Sequence, residues 1–201
     1  MTPTTGIIKT GVANTASVSA ALRRAGAEPE FVDNGADVES FDRIVVPGVG
    51  AFEAGMNALE EMEIIDALID RIEADEPTFL VCLGMQLLAE SSDESPGISG
   101  LGIIDTHVGA FPPGVPTPQF GWNEVEPTSS MRHLDSGYAY FANSYRIVNQ
   151  PDGWNCAMAD HGGRFVAAME RGSILACQFH PELSGSFGQG IVNQWIGSDD
   201  R

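Results

Sequence analysis

The order of elements in this chain predicts an α/β fold, with a central, mostly parallel sheet flanked by helices and a smaller mixed or antiparallel extension. Three observations carry the prediction. Through Glu90, short apolar runs alternate with helical patterns, which implies right-handed crossovers and helices on both faces of a parallel sheet. Beyond Ser91 the texture changes to a polar loop, a proline-broken stretch and a series of short strand candidates. The chain has 201 residues, 43% of them hydrophobic, enough for one sizeable core, so residues 1–201 read as a single domain.

Taken in order, Thr5–Thr10 reads as a short buried strand and Thr15–Ala25 as a helix that stops at Gly26. Phe31-Val32 marks a second strand, and Arg43-Ile44-Val45-Val46 a third that ends in Pro47-Gly48-Val49-Gly50. Helical patterns cover Phe52–Met62 and Ile64–Asp75. Thr78–Val81 is the next strand, followed by a helix over Gly84–Glu90. Ser91–Gly100 is rich in Gly, Ser and Pro and reads as a loop, and Pro112, Pro113, Pro116 and Pro118 break the stretch that follows. Strand candidates then fall at Asn123-Glu124-Val125, Tyr138–Phe141, Asn155–Ala159, Phe165–Glu170 and Ser173–Gln178, with Gly162-Gly163 as a hairpin turn. A closing helix is expected over Gly190–Ile196.

Composition excludes several classes. The net charge is −18 and Lys9 is the only lysine, so the surface repels nucleic-acid phosphates. That acidity reads as a well-solvated surface or as adaptation to high salt. No apolar run is long enough to span a membrane, and the start of the chain lacks the basic region of a signal peptide. Cys82, Cys156 and Cys177 are too few for a disulfide framework and fit a reducing, cytoplasmic setting. They form no C-x-x-C, and His107, His133, His161 and His180 show no H-x-x-x-H, so no metal site is expected.

The chemistry concentrates in two segments. Cys82 stands where an apolar strand runs into a helix, in Phe79-Leu80-Val81-Cys82-Leu83-Gly84-Met85-Gln86. Such a corner exposes a side chain above the sheet, and the backbone N–H groups beyond it can lower a thiol pKa and stabilise an oxyanion. Only the second glycine of the G-x-nucleophile-x-G elbow is present, as Gly84, with Leu80 at the first position. Alone, the pattern fits an inert core cysteine more often than a nucleophile. Gln178-Phe179-His180-Pro181-Glu182 supplies the other parts: a base at a strand end, a proline that fixes the turn, and a carboxylate able to orient the imidazole. Alone, it is an ordinary surface turn. Pro47-Gly48-Val49-Gly50 lets backbone approach a ligand at a strand end, but lacks the G-K-[ST] of a phosphate loop and the third glycine of a dinucleotide fingerprint.

These segments occur in order with Phe120-Gly121-Trp122-Asn123, Tyr140-Phe141-Ala142-Asn143-Ser144-Tyr145 and Leu183-Ser184-Gly185. Over nearly its whole length the chain resembles the class I, triad-type glutamine amidotransferases. Within them it is similar to the glutaminase subunits of imidazole glycerol phosphate synthase, an enzyme of histidine biosynthesis. The resemblance implies Cys82 as nucleophile, His180 as base and Glu182 as its orienter. It implies an oxyanion hole from Leu83 N–H and one N–H of Gly48-Val49-Gly50. Gln86 and the backbone at Asn143, Ser144 and Tyr145 would bind the amino-acid end of glutamine. No cofactor is implied. The implied partner is a (β/α)8-barrel cyclase subunit, in a heterodimer that makes imidazole glycerol phosphate and the purine precursor AICAR. Gly11, Asn14 and Ser17 match the family's first strand-helix turn, which faces that partner, and Leu183 would lie in the same interface.

Four positions depart from the family pattern. Leu80 replaces the elbow glycine, so neighbouring packing must open to admit it. Gln119 and Asn143 each stand where histidine is usual, and Leu183 replaces a basic residue that faces the partner. Two rival readings follow: a cysteine hydrolase or peptidase on the same fold, and a catalytically degenerate subunit that only scaffolds its partner.

Overall fold

The structure is a computed structural model that describes residues 3–10 and 14–198. The first half alternates as expected: β1 (Thr5–Ile8), α1 (Thr15–Arg24), β2 (Pro29–Val32), α2 (Gly35–Ser40), β3 (Arg43–Gly48), α3 (Phe52–Glu61), α4 (Ile65–Glu73) and β4 (Thr78–Cys82). After β4 comes a single turn, α5 (Leu83–Gln86), then β5 (Ala89–Ser92) and β6 (Ile104–Ala110). The second half holds β7 (Gln119–Pro127), β8 (Gly137–Asn143), β9 (Tyr145–Ile147), β10 (Asn155–Asp160), β11 (Arg164–Arg171), β12 (Ile174–Cys177), a 3-10 turn (Pro181–Leu183) and α6 (Gly185–Ile196).

The nine-stranded sheet runs β2-β1-β3-β4-β12-β11-β10-β7-β8, and β5-β6-β9 form a second sheet. Pairing is parallel from β2 to β12 and antiparallel from β12 to β8. The antiparallel extension is therefore continuous with the parallel part, and β12 is the seam. Alternate strand residues feed two cores. Ile8, Ile44, Val46 and Leu80 pack on one face under α2 to α5 and the small sheet. Ile7, Val45, Phe79 and Val81 pack on the other against Val18 and Leu22 of α1 and Ile191, Val192 and Trp195 of α6.

Four differences from the sequence reading have physical causes. The expected helix over Gly84–Glu90 is only one turn, and Ala89 already begins a strand. Leu83 through Ala89 are all buried, and such a run has no periodicity to separate helix from strand. β6 and β9 were missed, β6 because only Ile104 and Val108 of its seven residues are buried. The helix α2 was missed because Val38 is its one buried residue, its start being fixed instead by Asn34, whose side chain accepts from Asp37 N–H. α6 begins five residues before the expected Gly190.

Leu80 needs no opened cavity. It is fully buried in the larger core, with Val46 beside it on β3 and the small Ala176 beside it on β12. The glycine that the elbow does require is Gly84. A Cβ there would lie 2.1 Å from the Val46 carbonyl oxygen, so α5 can sit against β3 only without one. Gly84→Ala is expected to destabilise the protein by about 1–3 kcal/mol, the usual cost of overpacking. Chemical denaturation measures it, and a stability equal to wild type would show that α5 moves freely.

Candidate active site

The parallel register sets the site. β4 lies between β3 and β12, with Gly48 opposite Cys82 on one side and Cys177 opposite Val81 on the other. The carboxyl ends of three adjacent strands thus bring Pro47–Gly50, Cys82 and Gln178–Glu182 together, the crevice where open α/β sheets bind ligands. Cys82 adopts φ 56° and ψ −108°, a left-handed conformation for a residue with a side chain, at the junction of β4 and α5. Because α5 is a single turn of four residues, its dipole is small.

His180 is 6% exposed and His180 Nδ1 lies 2.9 Å from Glu182 Oε1, which leaves Nε2 for the thiol. Burial pulls the imidazole pKa down, but hydrogen bonding to Cys82 and to Glu182 outweighs it and pushes the value up to about 10. The Glu182 side chain is only 4% exposed, and its Oε2 has no hydrogen-bond partner. The carboxylate therefore directs its polar interaction at the ring. The corner is pinned from outside. His180 N–H donates to Tyr140 O at 2.9 Å, Ser184 Oγ donates to His180 O at 2.6 Å, and Tyr140 N–H donates to Ser184 Oγ at 2.9 Å.

A cavity of about 540 Å³ opens over Cys82 and His180. Its walls include Val49, Gly50, Leu83, Gln86, Asn143, Ser144 and Tyr145, so the structure brings together the expected oxyanion and substrate residues. Gly48 lies just behind, buried at the end of β3, and Gly50 has φ +103°, a conformation that favours glycine. The side chains of Gln86 and Asn143 both donate to the Tyr145 carbonyl, at 3.2 and 3.0 Å. Asn143 pairs directly across the β7–β8 ladder with Gln119, and both are buried.

Sequence reasoning missed three contributors. Thr10, buried, donates through Oγ1 to the Pro47 carbonyl at 2.5 Å and ties the loop after β1 to the end of β3. Glu94 lines the cavity, and its Oε2 accepts from Phe52 N–H at 2.8 Å at the start of α3. Gln178 donates from Nε2 to Cys82 Sγ at 3.7 Å. All three depend on contacts between distant segments and have no local signature. The expected interface residues lie outside the cavity. Asn14 caps α1 by accepting from Ser17 N–H at 3.3 Å, Leu183 is 42% exposed on the 3-10 turn, and Gly11 falls outside the described residues.

A cysteine at a strained strand-to-helix corner, with a histidine–carboxylate pair beside it on one cavity, has the arrangement of a triad-type thiol site. The model of the family described as glutamine amidotransferase class-I matches residues 7–195, and the chain belongs to that family. Curated relatives place it more narrowly. It is 40% identical over 195 residues to the imidazole glycerol phosphate synthase subunit HisH of Pectobacterium atrosepticum, covering 94% of this chain and 97% of that one. The HisH of Symbiobacterium thermophilum is 38% identical, with 94% and 91% covered. The chain also matches, at 35% identity over 92% of its length, one third of the Arabidopsis thaliana imidazole glycerol phosphate synthase hisHF. A solved glutamine amidotransferase shares the fold, with a TM-score of 0.76 at 22% identity over 96% of both chains.

The raised His180 pKa makes a pH-dependent prediction. A group whose folded pKa is raised contributes stability that is full below its unfolded value, near 6.5, and is lost as pH rises toward about 10. Glu182→Gln removes one cause of the rise. Its deficit in Tm relative to wild type is expected to be largest near pH 6 and to shrink toward pH 10. A deficit independent of pH in thermal melts would mean that Glu182 does not act through the imidazolium.

Proposed function

We propose that Cys82, His180 and Glu182 are the catalytic triad of a glutaminase that supplies ammonia to a synthase. Cys82 Sγ, its proton passed to His180, attacks the side-chain amide carbon of glutamine. The Leu83 N–H and an N–H from Gly48-Val49-Gly50 receive the charge that develops on the amide oxygen. His180 returns the proton to the leaving nitrogen, which departs as ammonia and leaves a γ-glutamyl thioester. Water then attacks the thioester with His180 as base, releasing glutamate and restoring the thiol. Glu182 holds His180 with Nδ1 toward itself and Nε2 toward the sulfur. Gln86 and the Asn143-Ser144-Tyr145 backbone seat the amino-acid end of glutamine.

The observation that carries this reading is the Cys82–His180–Glu182 array at the base of a cavity lined by Gln86 and Tyr145. The same observation weighs against a purely scaffolding role. Ammonia then goes to a (β/α)8-barrel cyclase partner, which forms imidazole glycerol phosphate and AICAR. The printed names of the relatives support that partner, as does the plant relative in which the matching region is one part of a longer chain. An exposed apolar face also supports it. Phe120 and Trp122 on β7 and Tyr138 on β8 are 70%, 57% and 57% exposed beside the cavity mouth, which Phe120 itself lines. Leu183, 42% exposed on the 3-10 turn, and Asn14 and Ser17 at the start of α1 would belong to the same interface.

Cys82→Ala is expected to reduce glutamine hydrolysis by several orders of magnitude while synthesis from added ammonia by the complex with its cyclase persists. Glutamine-dependent turnover by this variant would overturn the assignment. At the interface, an exposed ion pair contributes only about 0–1 kcal/mol, so leucine in place of a basic residue need not weaken docking. Leu183→Lys is expected to bind the cognate cyclase more weakly and with a steeper dependence on salt, measured by titration across a salt series. Unchanged affinity and slope would place Leu183 outside the contact.

A further inference from the structure

Gln178 follows β12 at the seam of the sheet. Its side chain is fully buried, and its backbone N–H is tied to Ala167 O at 2.8 Å. With Cys177 opposite Val81, the next step along the two chains sets Gln178 beside Cys82. Its Nε2 donates to Cys82 Sγ at 3.7 Å, and its Oε1 accepts from Gln86 Nε2 at 2.8 Å. Gln86 Nε2 also donates to the Tyr145 carbonyl at 3.2 Å.

This chain of bonds can run in only one direction. The Tyr145 carbonyl is an acceptor and nothing else, so Gln86 must present its NH2 group there. The same NH2 group meets Gln178, which must therefore present its oxygen. That leaves the Gln178 NH2 group facing the sulfur. The main chain at Tyr145 thus determines, through two buried amides, that a hydrogen-bond donor is aimed at Cys82. A donor so placed favours the anionic sulfur over the neutral thiol, and a bond to a charged acceptor is stronger than one to a neutral acceptor.

We propose that Gln178 is a positioning residue that fixes the Cys82 sulfur and holds it as the thiolate, and that Gln86 sets the Gln178 amide in the orientation this requires. The proposal rests on Cys82 being the nucleophile. It gives Gln86 a second task besides seating the substrate: it links the strand that would receive the amino-acid end of glutamine to the reacting sulfur. The titratable groups that face this corner are His180, with Glu182 behind it, and Glu94 and Tyr145 in the cavity wall. Cys177 and Glu170 lie further back, the thiol of Cys177 being fully buried with its pKa pushed well up, first by burial and then by the charges of Glu170 and Glu182.

The test is the pH dependence of Cys82 alkylation by iodoacetamide in the full-length chain without glutamine, with Cys82→Ser as the blank for Cys156 and Cys177. Gln178→Met is expected to move the alkylation midpoint to higher pH. It should also lower kcat for glutamine hydrolysis roughly ten- to a hundredfold, the weight of one hydrogen bond to a charged group, with a much smaller change in KM. Gln178→Glu, close to wild type in shape, should shift the midpoint further, because it sets a carboxylate against the sulfur. Gln86→Met should raise the midpoint as well, although no glutamine is present. A merely structural role would lower Tm and leave these profiles in place. Midpoints equal to wild type in folded Gln178→Met and Gln178→Glu would overturn the role of Gln178, and one equal to wild type in Gln86→Met would overturn the link. Glutaminase activity retained in Cys82→Ser would instead defeat the assignment of the nucleophile, whatever the Gln178 profiles show.

Discussion

Cys82 is held at φ 56° and ψ −108°, where an L-residue costs of order 1–3 kcal/mol, and the rest of the site is arranged around that corner. The strain persists because both flanks are fixed. Before it, β4 is hydrogen-bonded on both sides in the middle of the sheet and buried along its length. After it, Leu83, Met85 and Leu87 are buried in the larger core, and Gly84 rests against the Val46 carbonyl. Neither flank can rotate without breaking sheet bonds or opening the core, so the thiol is lifted out of the strand toward the cavity.

The mixed sheet follows from the same requirement. On the proposed mechanism, a nucleophile at the end of one parallel strand takes its base from a neighbour that runs the same way, and β12 is the parallel neighbour of β4 that leads into His180. It arrives late in the chain, by way of β11 and an antiparallel ribbon. That ribbon provides what parallel strands with helical crossovers do not: an edge hairpin, β7–β8, which folds over the mouth and supplies Asn143, Phe120 and the Tyr140 anchor for His180. One half of the sheet therefore positions the attack, and the other shapes the pocket and the exposed apolar face.

The parallel strands were legible because burial on both faces writes them as continuous apolar runs, and the pairing of His180 with Glu182 was legible because the two lie on either side of Pro181. The mouth of the cavity was not. Thr10 reaches Pro47, Glu94 reaches Phe52 and Gln178 reaches Cys82, each a polar side chain whose role exists only through a contact tens of residues away in sequence. β6 and β9 escaped for a related reason. They form a small sheet with β5 whose pairing is set by the fold around it; β6 has only two buried residues, and β9 is three residues long, too short to print a period.

The four departures from the family pattern divide along the same line between interior and surface. Leu80 lies beside Ala176, so the volume gained on β4 meets a small neighbour on β12. Gln119 and Asn143 sit opposite each other across β7 and β8, so the two positions where the resemblance implies histidine form one buried cross-strand pair. Cross-strand partners at this distance are felt directly, and a substitution on one side alone would leave its neighbour poorly matched. Leu183 has no such counterpart. It stands exposed on the 3-10 turn, one residue beyond Glu182 and next to the serine that pins His180. Inside the fold the divergence is matched within this chain. Leu183 instead leaves an apolar side chain 42% exposed at the surface, beside the turn that carries His180.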